Sequence, residues 1–324
     1  MLRFLESIFG KVDKGRYPET LVAAAIERAV DGSDPWLRGV SGYKKKLRPA
    51  VIRTIDHVVA LVDGLPPPLA AGLACYDDDP RLKAFFMSTA EMRKVYCGDR
   101  NLVEFRRAQD KDAPQVIVLL AVEKREGVTM GAELSGDIIM RDVPQSTVTF
   151  ESPRFFDPTG DEVQTRRRLM RRAFDHLLSL ALRRISTVKS ERQDLERRRS
   201  LLEAKVNLLQ RGGWGFDETA ASEGITAAAL EEGLGVIEAQ LLKLGGDDRA
   251  MEVYLDIVVD VLGRPEEQLW SRKETLIVDR LGFRRSQVAF DAPELTLDEL
   301  WNAEGRSLVV SLVALPGEEL RGLA

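Results

Sequence analysis

The chain has 324 residues, of which 44% are hydrophobic and 31% charged, and its net charge is −5. That composition excludes a disordered chain, and the length leaves room for two or three domains. The longest apolar runs, Val116–Val122 and Leu308–Leu315, fall far short of the ~18–20 residues a spanning helix needs, which excludes a helical membrane protein.

The charge is unevenly placed. Residues 164–211 hold 14 Lys+Arg against 5 Asp+Glu, whereas 115–163 hold 4 against 9 and 212–324 hold 10 against 22. One basic stretch therefore sits between two acidic ones. The N-terminal stretch carries Glu6 among its apolar residues and no A-x-A-like site follows it, so we read no secretory signal. Cys75 and Cys97 are the only cysteines and form neither a disulfide framework nor a CxxC site. Together these features point to the reducing cytoplasm.

Residues 1–112 read as a helical domain of short helices. Leu2, Leu5, Ile8, Phe9 and Val12 form an apolar stripe that would pack onto its own domain or lie in a membrane interface. Asp34-Pro35, Arg48-Pro49 and Asp79-Pro80 have the pattern of helix starts, Ser88 and Glu91 form a capping box, and Asp99 caps the helix after it. Val51, Ile55, Val58 and Val62 give one helix a clear apolar stripe.

At Pro114 the period changes, and 113–324 reads as an α+β domain. Alternation over 115–152, broken at Glu126-Gly127 and at Ser135, Gly136 and Asp137, predicts an antiparallel meander of about four strands. Thr159 to Glu162 matches a second capping box and opens a helix reaching about Arg211. Up to Val188 its apolar residues cover more than half the circumference. Beyond that point only a coiled-coil stripe survives, at Val188, Leu195, Leu202 and Leu209, with Val206 beside it and Glu191, Arg198 and Lys205 in the weak register position.

Leu230, Leu234, Ile237, Leu241 and Leu244 repeat the stripe at 4-3-4-3 spacing on a helix of about 224–244. The two segments match in length, which predicts a projecting antiparallel helical hairpin inserted at about 188–244. The alternative is a seam shared between two chains of a homo-oligomer. Beyond it come an apolar helix at Met251–Leu262 and strands at Glu274–Asp279 and Ser307–Leu315, which we expect to join the meander in one sheet. Thr296 to Glu299 reads as the cap of a short helix containing Leu300 and Trp301.

Catalytic and cofactor motifs are wanting. His57 and His176 lie 119 residues apart without ligand-spaced neighbours, and no GxxxxGK[ST] or GxGxxG occurs. The glycines at Gly212, Gly213 and Gly215 lie between two helices, where a phosphate loop should join a strand to a helix. Asp79 among Asp77, Asp78 and Asp79 is accounted for as a cap. No cofactor or metal is expected.

Three functions remain, in this order. The first is a binding or scaffold protein docking a protein partner through the hairpin and the helical N-terminal domain. The second is a binder of nucleic acid or an anionic membrane surface through the arginines of 166–199: Arg168, Arg171, Arg172, Arg183, Arg197, Arg198 and Arg199. Against it, aromatic residues are not interleaved with these arginines for base stacking, and Phe174 belongs to the apolar arc of the helix. The third is an enzyme with carboxylate or metal chemistry at Glu252, Asp256 and Asp260, spaced four apart on one helix face.

Overall fold

The computed structural model describes residues 17–107, 113–135, 138–210, 227–245 and 249–321. In chain order the elements are helices α1 (Glu19–Ser33) and α2 (Tyr43–Asp63), strand β1 (Leu69–Ala70), and helices α3 (Pro80–Phe85), α4 (Thr89–Gly98) and α5 (Arg100–Arg107). Strands β2 (Gln115–Ser135) and β3 (Ile138–Thr159) lead into helix α6 (Glu162–Gln210), then α7 (Ala227–Lys243), α8 (Ala250–Gly263) and α9 (Pro265–Gln268). Strands β4 (Leu269–Ile277), β5 (Glu294–Asn302) and β6 (Ser307–Pro316) and helix α10 (Gly317–Arg321) complete the α+β fold. The chain divides into two compact units, 1–54 with 175–264 and 55–174 with 265–324. This spatial grouping interleaves the sequence, whereas the reading from sequence placed one linear boundary near 112; α2 and α6 contribute to both units.

The unit of 55–174 and 265–324 is built on one sheet in the order β3-β2-β6-β5-β4, antiparallel throughout, with β1 added parallel to β6. Residues Val116–Val122 and Val309–Leu315 are buried on both faces, as a continuous apolar run in a central strand requires. One face packs Val118, Leu120, Leu297 and Val313 with Phe86, Met92, Tyr96 and Leu102 of the short helices. Asp99 does cap α5, accepting from the N–H groups of Asn101 and Leu102 at 2.9 and 3.1 Å, and its other oxygen accepts from Phe155 N at 3.0 Å. The cap therefore also ties α5 to β3.

At the start of α6, Asp161 is the cap that meets the Gln164 N–H, at 3.0 Å. Thr159, expected in that role, instead shares a hydrogen bond with Thr165, whose hydroxyl also reaches Ile117 O. Arg166 is buried beside it and donates to Val62 O at 2.6 Å and to Leu65 O and Pro66 O at 3.3 Å. It thereby satisfies carbonyls that the C-terminal end of α2 leaves without helical partners.

Three expectations need correction. The meander is two long strands, with Glu126 and Gly127 paired in register to Val148 and Thr147. The ladder shifts register at three bulges, and β3 carries Asp142, Ser152 and Asp157 at φ 59, 53 and 54°. Each bulge flips the side-chain alternation, so a continuous strand reads in sequence as several short ones. Thr296 to Trp301 is strand, because Leu295, Leu297 and Glu299 alternate inward on β5 and the inward Glu299 hides the period. Pro49 lies inside α2, which already begins at Tyr43.

The unit of 1–54 and 175–264 is helical. Val22, Ile26 and Val30 of α1, Leu47 and Val51 of α2, Leu177, Leu178 and Ile185 of α6, and Leu255, Val258 and Leu262 of α8 are among its buried apolar residues. A Cβ on Gly32 would come within 2.7 Å of Leu178 Cδ1, so α1 packs closely on α6 and any larger residue there would make the Leu178 side chain shift. The Arg28 guanidinium grips both Asp175 oxygens at 2.6 and 2.5 Å, and Thr54 donates to Leu262 O at 2.7 Å.

Candidate functional site

The distal half of α6 and the whole of α7 pair antiparallel within one chain. Beyond Val188 the inward residues of α6 are Arg192, Leu195, Arg199, Leu202 and Val206, and those of α7 are Leu230, Leu234, Ile237, Leu241 and Leu244. Val206, Ile237 and Leu241 are the most buried, at 8, 9 and 8% exposure. Leu202 Cδ1 would stand 3.5 Å from a Cβ on Gly233, which fixes the register: position 202 lies opposite 233. The side chain of Leu209 and the connection at 211–226, with its four-residue glycine-rich stretch, lie outside the described residues.

One detail of the expected seam is displaced by a residue. The second row of α6 is 192, 199 and 206, while Glu191, Arg198 and Lys205 are exposed. An arginine can serve there because its aliphatic stem packs in the seam while its head reaches out. Arg192 does so, donating to Gly245 O at 2.8 Å and pairing with Glu196 at 2.8 Å. It thus binds a carbonyl just past the end of α7, where orphan acceptors collect. Reading arginines as snorkelling seam residues would have found this row at 4-3 spacing from Val188 and Leu195.

Beside the seam lies an open groove of about 400 Å³. Leu195 and Leu244 form its apolar floor, and Glu191, Asp194, Arg198 and Lys243 rim it with both signs of charge. Leu201, Leu208 and Val236 on the same hairpin are 59, 72 and 54% exposed, well beyond what a two-helix seam can cover. Mixed charge around an apolar floor suits a polypeptide surface, since such interfaces combine an apolar centre with a polar rim.

The arginines of 166–199 are divided between the two units. Arg168, Arg171 and Arg172 belong to the sheet-bearing unit, and Arg183, Arg197, Arg198 and Arg199 to the helical one. Arg172 grips Asp157 at 2.6 and 3.0 Å and lies over the Phe156 ring, and Arg168 donates to Pro158 O at 3.2 Å. Farther along, Arg197 pairs with Asp194 at 3.7 Å and Arg199 with Glu203 at 3.5 Å.

The acidic face of α8 is likewise engaged: Asp256 pairs with Lys46 at 3.6 Å and Asp260 with Arg184 at 3.3 Å and with Arg264. Among the described residues no group of three or more His, Cys, Asp or Glu side chains could hold a metal. His57 bonds Leu269 O at 2.7 Å, and neither Cys75 nor Cys97 is in a disulfide. Asp79 caps α3 and binds Arg81 at 2.7 Å.

Sequence inspection did not single out the charge cluster of the sheet. Lys124, 9% exposed, meets Glu299 at 2.5 Å, Glu126 at 3.0 Å and Glu274, and Trp301 Nε1 donates to Glu299 at 3.0 Å. Burial works against the Lys124 charge, but the three carboxylates outweigh it and raise its pKa. Burial also works against the Glu299 anion, but the hydrogen bonds with Lys124, Glu274 and Trp301 and the Lys124 charge together outweigh it and lower that pKa. A lysine held in its ammonium form is no nucleophile, so the cluster is an internal ion network that holds β2, β4 and β5 in place.

Comparison of the chain with family models, with curated proteins and with solved structures found no match. Among the described residues no helix is long and apolar enough to cross a membrane.

Proposed function

We propose that this chain is a binding or scaffold protein whose helical hairpin is the principal docking surface for a protein partner, with the helical N-terminal part supplying a second. The supporting observation is the groove flank of the hairpin, where a mixed-charge rim and exposed Leu201, Leu208 and Val236 coincide on a two-helix element. Exposed apolar side chains gathered within a polar rim mark interaction sites. Two cysteines outside any disulfide fit a reducing compartment, so on this reading the protein is cytoplasmic.

Binding of nucleic acid or an anionic surface has less support. Arg166 is spent on backbone carbonyls, and Arg172 and Arg184 are paired with Asp157 and Asp260. Carboxylate catalysis has less still, because Asp256 and Asp260 are held in ion pairs.

Affinity capture with the full chain and with Ile237→Asp tests the reading. A protein retained by the wild type and lost from the variant, while the sheet-bearing unit stays folded, is the expected result. Nucleic acid in place of protein, or the same proteins on both baits, contradicts it.

A further inference from the structure

The two flanks of a helical hairpin need not be alike, and here one of them is patterned. Leu201 and Leu208 follow the groove-lining Asp194 at heptad spacing on α6, and Val236 precedes the groove-lining Gln240 by one turn on α7. All three therefore extend the groove flank toward the hairpin tip, as an apolar continuation of its floor. Levels along the hairpin follow from two contacts, Arg192 with Gly245 O and Leu202 with Gly233. By that antiparallel count Lys243 lies within about two residues (~3 Å) of the level of Asp194, and Val236 within the same span of Leu201.

We propose that this flank is covered by the same flank of a second copy, related by a two-fold axis parallel to the hairpin, so that two hairpins form a four-helix bundle. The proposal rests on the docking reading above and names the partner. Rotation about that axis preserves level and exchanges helices, placing α6 of each copy against α7 of the other. Lys243 of one copy then meets Asp194 and Glu191 of the other, and Val236 meets Leu201, each contact occurring twice.

That charge complementarity is the argument for a second copy. A two-fold partner requires opposite charges, and matching apolar residues, at equal levels on the two helices of one chain. An unrelated partner imposes no such requirement. From Glu191 to Leu208 the helix rises ~26 Å, and two helices at ~9 Å separation offer a flank roughly 20 Å wide. About 500 Å² per copy, or ~1,000 Å² in all, lies at the low end for specific association, so the dimer is reversible.

Analytical ultracentrifugation of the full chain over a dilution series should show a monomer–dimer equilibrium. Leu201→Asp and Val236→Asp, at exposed positions, should each raise the dissociation constant ~tenfold or more. Asp194→Lys and Lys243→Glu should each do the same, and mixing those two variants should restore dimers, because the reversed charges then meet across chains. Asp194→Lys/Lys243→Glu in one chain should also dimerise, which guards against a single variant that fails to fold.

A wild type that is monomeric throughout overturns the proposal. So do variants that dimerise like the wild type, and so does a mixture that stays monomeric. A monomer that still captures a different protein through its hairpin overturns the second-copy proposal and leaves the docking reading standing. Capture indifferent to the hairpin overturns the docking reading, while the mixing result decides the dimer separately.

Discussion

Replacing Ile237 with alanine removes apolar atoms from the most enclosed part of the hairpin seam, and Leu242→Ala on the same helix is its control. Ile237 is 9% exposed and Leu242 75%. Fully buried Ile or Leu to Ala changes cost ~2–5 kcal/mol, and a seam lined by two helices can collapse around the loss, so about 2 kcal/mol is expected. The exposed control should stay within ~0.5 kcal/mol. Amide hydrogen exchange reads the difference by segment. At about 1.4 kcal/mol per tenfold, protection over Leu195–Leu208 and α7 should fall ~30-fold in Ile237→Ala and hardly at all in Leu242→Ala. Strands β2 and β6 should keep their protection in both. Equal losses in the two variants, or a loss centred on the sheet, would refute the seam assignment.

Cysteines at 202 and 233 should form a disulfide within one chain, because Leu202 approaches the Gly233 backbone; electrophoresis showing only interchain dimers would instead make the seam intermolecular. Apart from Gly235's chain neighbours and the surrounding helical backbone, no atom of the described residues lies within 4 Å of the point where a methyl group on Gly235 would stand. Gly235→Ala should therefore stabilise the hairpin by ~0.5–1 kcal/mol, and a lower exchange protection in α7 would count against an interior helix position there. Lys124→Met strands Glu299 and Glu274 without their cation and should cost about 3–5 kcal/mol in chemical denaturation at neutral pH. The low pKa of Glu299 means its pairing contributes above the ordinary carboxylate value of about 4.3 and is lost as pH falls through its folded value. The raised pKa of Lys124 keeps its contribution in place up to and beyond about 10.4. The wild type's advantage over Lys124→Met should therefore shrink on acidification below pH ~4; a constant gap would mean the network is not ionic.

Where one physical signal dominated, the sequence could be read. The 4-3-4-3 stripe from Leu230 to Leu244 and the heptad from Val188 located both arms of the hairpin, because helix periodicity survives regardless of tertiary surroundings. Asp99 and Asp79 were recognisable as caps from short polar side chains set just before helical runs. What failed were elements whose local pattern carried a second message. Asp142, Ser152 and Asp157 shift the phase of β3, so two long strands looked like four. Glu299 faces inward only because Lys124, 175 positions earlier, arrives to meet it, and no local pattern announces that. Arg192 and Arg199 disguised a seam row as a polar one. The groove depends on which flank two helices leave open, so its charged rim became visible only after α6 and α7 were paired.

Lysine crosslinking of the full chain in its own cells, with the linked peptides identified by mass spectrometry, tests the docking role of the hairpin most directly. Lys189, Lys205 and Lys243 all lie on the hairpin arms. A docking hairpin predicts that Lys205 and Lys243 link to a second polypeptide, whether another copy or a different protein, and that Ile237→Asp abolishes those links. Links from these lysines to their own chain alone, with partner links arising only from lysines elsewhere, would contradict it.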